Sequence, residues 1–323
     1  MTFPVSHSTL DARALAIELE RRYSLSGDCV CRLVARGSND LYRVECGTSR
    51  YALRVSRALH RTTAEIGYEL DLLAFMAGRS IPVPAPLPLT NEDRFFSVSA
   101  PEGERLIVMM SWIEGRTLDR RISALEAAAA GRLLADIHLV AREFRSTTVK
   151  EIDTVVRITR QMQHLDRLLP RGTVGRECFD HGMDAVRRFF SGEAAAALPR
   201  GPTHGDFQFA NVMKSPDGTL WAIDFDDCGF DVSVKDLITF EWRARLEQLG
   251  QDVIDAFRSG YESRCPLTTE ETAALPMLRV ARDLYLIVSY AAYIDRIGPV
   301  AGFEAQSRLV DLLVEDIADV GRA

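Results

Sequence analysis

The chain has 323 residues, 47% apolar and 26% charged, ordinary proportions for a globular protein with room for about two lobes. A net charge of -7 and a pI near 5.5 argue against general binding to nucleic acid or an anionic membrane, while a cationic ligand stays open. The six cysteines form no C-x-x-C pair and no zinc spacing, so thiols in a reducing cytoplasm are expected.

The opening residues lack a basic stretch followed by an apolar block, so no secretory signal is expected. Thr9-Leu10-Asp11 begins an amphipathic helix that runs to about Arg22. Strands are expected over residues 29–35, 41–46 and 51–56, separated by turns at Gly37-Ser38-Asn39-Asp40 and Gly47-Thr48-Ser49. Cys29 and Cys31 alternate on the first strand and therefore face the same side, as core or surface thiols.

Residues 62–78 read as a helix with Ile66, Leu70, Leu73 and Ala77 at helical spacing. The prolines of Ile81-Pro82-Val83-Pro84-Ala85-Pro86 impose an extended connector. Strands near residues 95–99 and 106–110 follow, and from Leu125 the pattern turns helical. The expected helices include residues 127–140, a set within 151–198, one beginning at Asp236, a long one over 279–296 closed by Gly298-Pro299, and a last one over 303–319. None is apolar and long enough to span a bilayer.

The most informative stretch is Thr203 to Asp231. His204-Gly205-Asp206 is followed by four residues and then Asn211, and the turn Ser215-Pro216-Asp217-Gly218 leads to an apolar run, Leu220-Trp221-Ala222-Ile223. That run empties into Asp224-Phe225-Asp226-Asp227, so a hairpin carries an acid and an amide at one end and further acids at the other. Phosphoryl transfer uses such a set: one Asp for the attacking hydroxyl, and an Asn and a second Asp for magnesium.

With HGD in place of the HRD of protein kinases, the stretch resembles the aminoglycoside phosphotransferase superfamily. The DFDD ending followed by Lys235-Asp236-Leu237 looks closest to the branch around the bacterial stress-response kinase and homoserine kinase type II. The resemblance implies an α+β, bilobal protein-kinase-like fold: a sheet-rich nucleotide-binding lobe over residues 1–110, then a helical lobe over 111–323 carrying the hinge, catalytic loop, metal site and acceptor pocket. It implies ATP and Mg2+ as cofactors, Asp206 as the group that orients and deprotonates the acceptor hydroxyl, and Asn211 and Asp224 as metal ligands. Arg54, where the family commonly has Lys, would touch the nucleotide phosphates with Glu69 as its partner and Glu65 as the alternative. The turn Gly37, Ser38, Asn39 would cover the phosphates, and the backbone of Ser111 and Ile113 in Met110–Gly115 would read adenine. His138 would support the loop, Asp236 would hold the loop backbone from beneath, and Asp226 or Asp227 would assist the metal or shape the acceptor pocket.

The expected acceptor is a small-molecule hydroxyl compound, and the acids around Asp226 and Asp227 would suit one bearing an amine. A Ser or Thr of a peptide is the alternative, and a catalytically silent nucleotide-binding protein is a third reading. The resemblance gives no oligomeric state.

Overall fold

The computed structural model describes residue 5 and residues 7–37, 39–58, 60–297 and 305–320. Its helices are α1 (Ala12–Arg22), α2 (Thr63–Ala77), α3 (Ala124–Ala141), α4 (Thr154–Gln161), α5 (Val174–Phe190), the short α6 (Glu193–Ala196), α7 (Lys235–Leu246), α8 (Gln251–Glu262), α9 (Thr269–Ile297) and α10 (Ala305–Val320). Its strands are β1 (Cys29–Arg36), β2 (Asn39–Cys46), β3 (Ser49–Ser56), β4 (Phe96–Ala100), β5 (Gly103–Ser111), β6 (Arg116–Thr117), β7 (Arg200–Thr203), β8 (Val212–Lys214), β9 (Leu220–Ala222) and β10 (Gly229–Val232). The expected Gly298-Pro299 helix stop lies outside the described residues.

The chain divides into two compact units. One comprises Met1–Thr117, Glu143–Lys150 and Met213–Asp226. Its antiparallel sheet has the order β1-β2-β3-β5-β4, and strict alternation along β2 turns Tyr42, Val44 and Cys46 onto the α1 side. Leu15 and Leu19 of α1 and Tyr23, its C-cap, pack there with Leu53, Val55, Ile107 and Met109. Asp11 caps α1 by accepting from the Arg13 and Ala14 amides. Thr62 and Glu65 form a reciprocal capping box at the start of α2.

The same sheet buries a charge. Arg105 is fully enclosed and donates to Asp40 at 2.9 Å, to the Ser56 carbonyl at 2.8 Å and to the Ser8 carbonyl at 2.6 Å. His7 reaches the other Asp40 oxygen at 3.0 Å, so the segment before α1 is tied to β2. One sequence expectation is corrected here: Cys29 is not a thiol but is bridged to Cys46. The β1–β2 register sets these two residues directly opposite, with Cα atoms 4.4 Å apart, a proximity that composition alone does not reveal.

The second unit comprises Leu118–Arg142, Glu151–Val212 and Asp227–Ala323 and is mostly helical, with β7 and β10 as a short antiparallel pair. Its core gathers Phe179, Met183 and Val186 of α5, Leu284, Ile287 and Val288 of α9, and Leu312 and Leu313 of α10. Helices α3 and α8 cross closely because Gly131 and Gly260 face each other's helix: a Cβ at Gly131 would meet the Phe257 carbonyl at 2.0 Å. The antiparallel sheet of the first unit and the helices of the second fulfil the expected α+β class. Helix α9 begins ten residues before the expected start, with Pro276 inside it.

Candidate active site

The first unit carries a buried cluster of charge around Arg54, which projects from β3. Its Nη1 and Nη2 donate to Glu69 of α2 at 2.6 and 2.7 Å, a bidentate pair, and Nη1 also donates to Asp226 at 2.5 Å. Arg61, just ahead of the Thr62 cap, joins the cluster by donating to Glu69 and, at 3.2 Å, to Asp226. Asn39, at the start of β2, donates its amide to the second Asp226 oxygen. Burial by itself would raise the Glu69 carboxyl, but the two guanidinium groups outweigh it and hold it below the usual range. The same enclosure would lower Arg54, and Glu69 and Asp226 reverse that.

Sequence spacing left Glu65 as an alternative partner for Arg54; Glu65 is instead spent on the capping box. Spacing did not find Arg61, whose role comes from a fold of the chain back onto α2, nor the capture of Asp226 by Arg54, Arg61 and Asn39.

A cavity of about 560 Å³ opens in this unit against the cluster, with Gly37, Asn39, Arg54, Ser111, Ile113 and Asp224 on its wall. Ser111 uses its amide and its hydroxyl on Ala85, which fixes the connector against the end of β5. Gly37 donates its amide to the Asn39 carbonyl in a tight turn, and Ser38 lies outside the described residues. Asp224 adopts a left-handed backbone with φ 66°, a conformation that Asp tolerates better than most residues and that is frequent at functional sites.

The second unit carries the loop after β7. Asp236, fully enclosed at the start of α7, accepts from the His204 amide at 2.7 Å and the Gly205 amide at 2.8 Å. His138 of α3 reaches it at 3.0 Å and Tyr261 at 2.9 Å; since the carboxylate only accepts, Nε2 donates to it and Nδ1 takes the tyrosine hydroxyl. Burial would raise Asp236, and His138 with the loop amide holds it down instead. The readings of Asp236 as the brace beneath the loop and His138 as its support match these contacts. Gly205 is required: its φ is 83° and a Cβ would stand 2.2 Å from the Asp227 carbonyl.

On that loop Asp206 is held from three directions. Oδ2 accepts from Gln208 at 2.8 Å and from the Asn211 amide at 3.0 Å, while Oδ1 accepts from Arg282 of α9 at 2.6 Å. Asn211 also donates to the Asp206 carbonyl, so both its bonds come from nitrogen and its oxygen is the atom left to ligate a cation. Arg157 of α4 donates to Asp227 at 2.7 Å and to the Tyr285 hydroxyl at 2.6 Å. Arg157 and Arg282 had no sequence signal, because helical spacing shows which face a residue occupies and not what meets it. Asp226 and Asp227 both have guanidinium partners. Among the described residues no group of three or more His, Cys, Asp or Glu could hold a metal by itself.

A profile of the phosphotransferase enzyme family matches residues 30–273. An uncharacterised protein of Deinococcus radiodurans is 31% identical over 290 residues, covering 88% of this chain and 84% of that one. A Burkholderia multivorans protein named homoserine kinase is 24% identical over 273 residues, covering 78% and 76%. Among solved structures, a microcompartment-associated aminopropanol kinase superposes with TM-score 0.75 at 22% identity, covering 95% of each chain. Amicoumacin kinase hAmiN, solved with AMP-PNP, Ca2+ and Ami, superposes with TM-score 0.74 at 15% identity, covering 96% of this chain and 94% of that one.

Proposed function

Since the chain belongs to the phosphotransferase enzyme family, we propose that it transfers the γ-phosphate of ATP to a hydroxyl group of a small molecule, with magnesium. The observation that carries this reading is Asp206, presented beside Asn211 on a loop whose amides are fixed by Asp236. In the reaction the acceptor oxygen forms the new bond to phosphorus, the bridging oxygen leaves with its electron pair as part of ADP, and the hydroxyl proton passes to Asp206.

In the first unit the residues suit a nucleotide. Ser111 and Ile113 line the cavity where adenine would be read by backbone groups, Gly37 and Asn39 stand at the turn that would cover the phosphates, and Arg54 is held by Glu69 to contact them. The donor set suits a hard cation as well: Asn211 offers an amide oxygen and Asp224 a carboxylate, and Mg2+ typically takes few protein ligands beside water and phosphate. When bound, the ion neutralises phosphate charge. Amicoumacin kinase, solved with AMP-PNP and Ca2+, supports that pairing.

Names of the relatives support a small acceptor, as do the elements after Asp227: β10 and α7 follow at once, with no long segment of the kind protein kinases use to regulate peptide binding. No helix among the described residues is long and apolar enough to cross a membrane. The cytoplasm, where ATP is supplied, is the proposed location; the Cys29–Cys46 bridge does not follow from it. The test is transfer from γ-labelled ATP into a small-molecule extract and, separately, a peptide fraction, with Asp206→Ala as the blank. Label confined to the peptide fraction would replace the acceptor class.

A further inference from the structure

Resting on the kinase reading above, we propose that the acceptor is a small hydroxylated anion, bound through a carboxylate or phosphate group by Arg157 and Arg282. Within the second unit a narrow crevice, with about 40 Å³ of free space, reaches the catalytic loop at Gly205 and is lined by Arg157, Asp227, Lys235, Arg282 and Tyr285. Arg157 and Arg282 come from different helices and flank one ring, with their guanidinium carbons 4.4 and 5.9 Å from the Tyr285 centroid. Arg282 ends on Asp206, so an anion on this pair places its molecule beside the group that receives the hydroxyl proton.

The balance of donors and acceptors sets the sign of the ligand. Each carboxylate at the crevice already accepts from a donor of the chain. Asp236 holds two loop amides and His138, and Asp231 holds Lys235 and the Val232 amide. Asp206 has donors on both oxygens, and Asp227 takes Arg157. The guanidinium groups have capacity left. Each has five N–H donors; Arg157 and Arg282 make their bonds through Nη2 alone, and the buried Nε of Arg282 has no partner among the described residues. Lys235 adds a third cation, bonded to the Thr154 hydroxyl at 2.7 Å.

An ammonium group entering here would meet two permanent cations, while a carboxylate or phosphate would complete the fork of either arginine. The hydroxyl and the anionic group of the acceptor must therefore sit only a few bonds apart, one at Asp206 and the other at the guanidinium pair. This differs from an acceptor whose only charged group is an amine, which the acids around Asp226 and Asp227 suggest at the level of sequence.

The experiment divides a small-molecule extract on an anion exchanger at high pH, where α-amines are neutral and any carboxylate or phosphate is retained, amino acids included. Each pool is then offered to the enzyme with γ-labelled ATP and Mg2+, and Asp206→Ala is the blank. Expected is Asp206-dependent label from the retained pool, and the product mass tells a carboxylate from a phosphate. With that acceptor purified, Arg157→Leu should raise its KM by about thirtyfold or more while the Kd for ATP stays unchanged. Arg157→Lys, which keeps the charge and loses the fork, should fall between; it also serves if the leucine variant fails to fold. Label only from the unretained pool overturns the acceptor class and leaves the kinase reading standing, as does an unchanged KM in both variants. Absence of Asp206-dependent label from both pools overturns the reading of a small-molecule kinase, and this inference with it.

Discussion

Glu69 accepts both terminal nitrogens of Arg54, at 2.6 and 2.7 Å, and is wholly buried while doing so. A carboxylate in that position is stable only with its cations, and it has two, Arg54 and Arg61. Replacing Glu69 with Gln leaves two enclosed guanidinium groups with Asp226 alone, and should lower stability by roughly 3–5 kcal/mol in a denaturant titration. Arg54→Lys keeps a charge but cannot span both Glu69 oxygens, so it should weaken ATP binding more than it weakens the fold.

Asp226 occupies the donors that nucleotide phosphates are proposed to use, taking Arg54, Arg61 and Asn39. Phosphate binding would therefore compete with the chain's own carboxylate. Asp226→Asn should tighten ADP binding in the absence of divalent cation several-fold, read by calorimetry. Weaker binding in the variant would show that Asp226 supports the phosphate site and does not compete with it.

The close approach at Gly205 gives a test of the loop. Gly205→Ala introduces a Cβ 2.2 Å from the Asp227 carbonyl at a backbone angle suited to glycine, so the loop must shift. Displacement of Asp206 by an ångström should cost on the order of a hundredfold in kcat, with ATP affinity unchanged.

A pH dependence follows from α9 and α10. Asp283 is fully enclosed, neither carboxyl oxygen has a hydrogen-bond partner among the described residues, and burial together with the nearby Asp316 charge pushes its pKa well up despite Arg245. A carboxyl whose folded pKa is raised binds more protons folded than unfolded, so stability falls as pH rises from about 3.9, the ordinary Asp value, through the folded pKa. Asp283→Asn removes that loss. Its advantage over the parent in melting temperature should grow across that window, and a constant difference would show that Asp283 titrates normally.

How much of this was legible in the sequence depended on whether the signal was local. The segment from His204 to Asp227 was readable because turn, strand and acids lie within a few residues, and the start of α1 at Thr9-Leu10-Asp11 was readable for the same reason. Helix α9 was placed too short, since its first residues, with Glu270 and Glu271 in the opening turn, precede an interior proline that reads as a boundary. The Cys29–Cys46 bridge, Arg61 on Glu69, Arg157 on Asp227 and Arg282 on Asp206 each join residues far apart or on different elements. Nothing in spacing or composition records such meetings, and in the active site they decide the charge presented to a substrate.

The most direct measurement compares the parent protein with Asp206→Asn, an isosteric change that removes the proton acceptor. ATP binding and phosphate transfer from γ-labelled ATP to the small-molecule extract are followed in parallel with Mg2+. With Asp206 as the proton acceptor, ATP affinity should be unchanged and transfer should fall about a hundredfold or more, within the range general-base catalysis supplies. Transfer at the parental rate by the Asn variant would contradict that role.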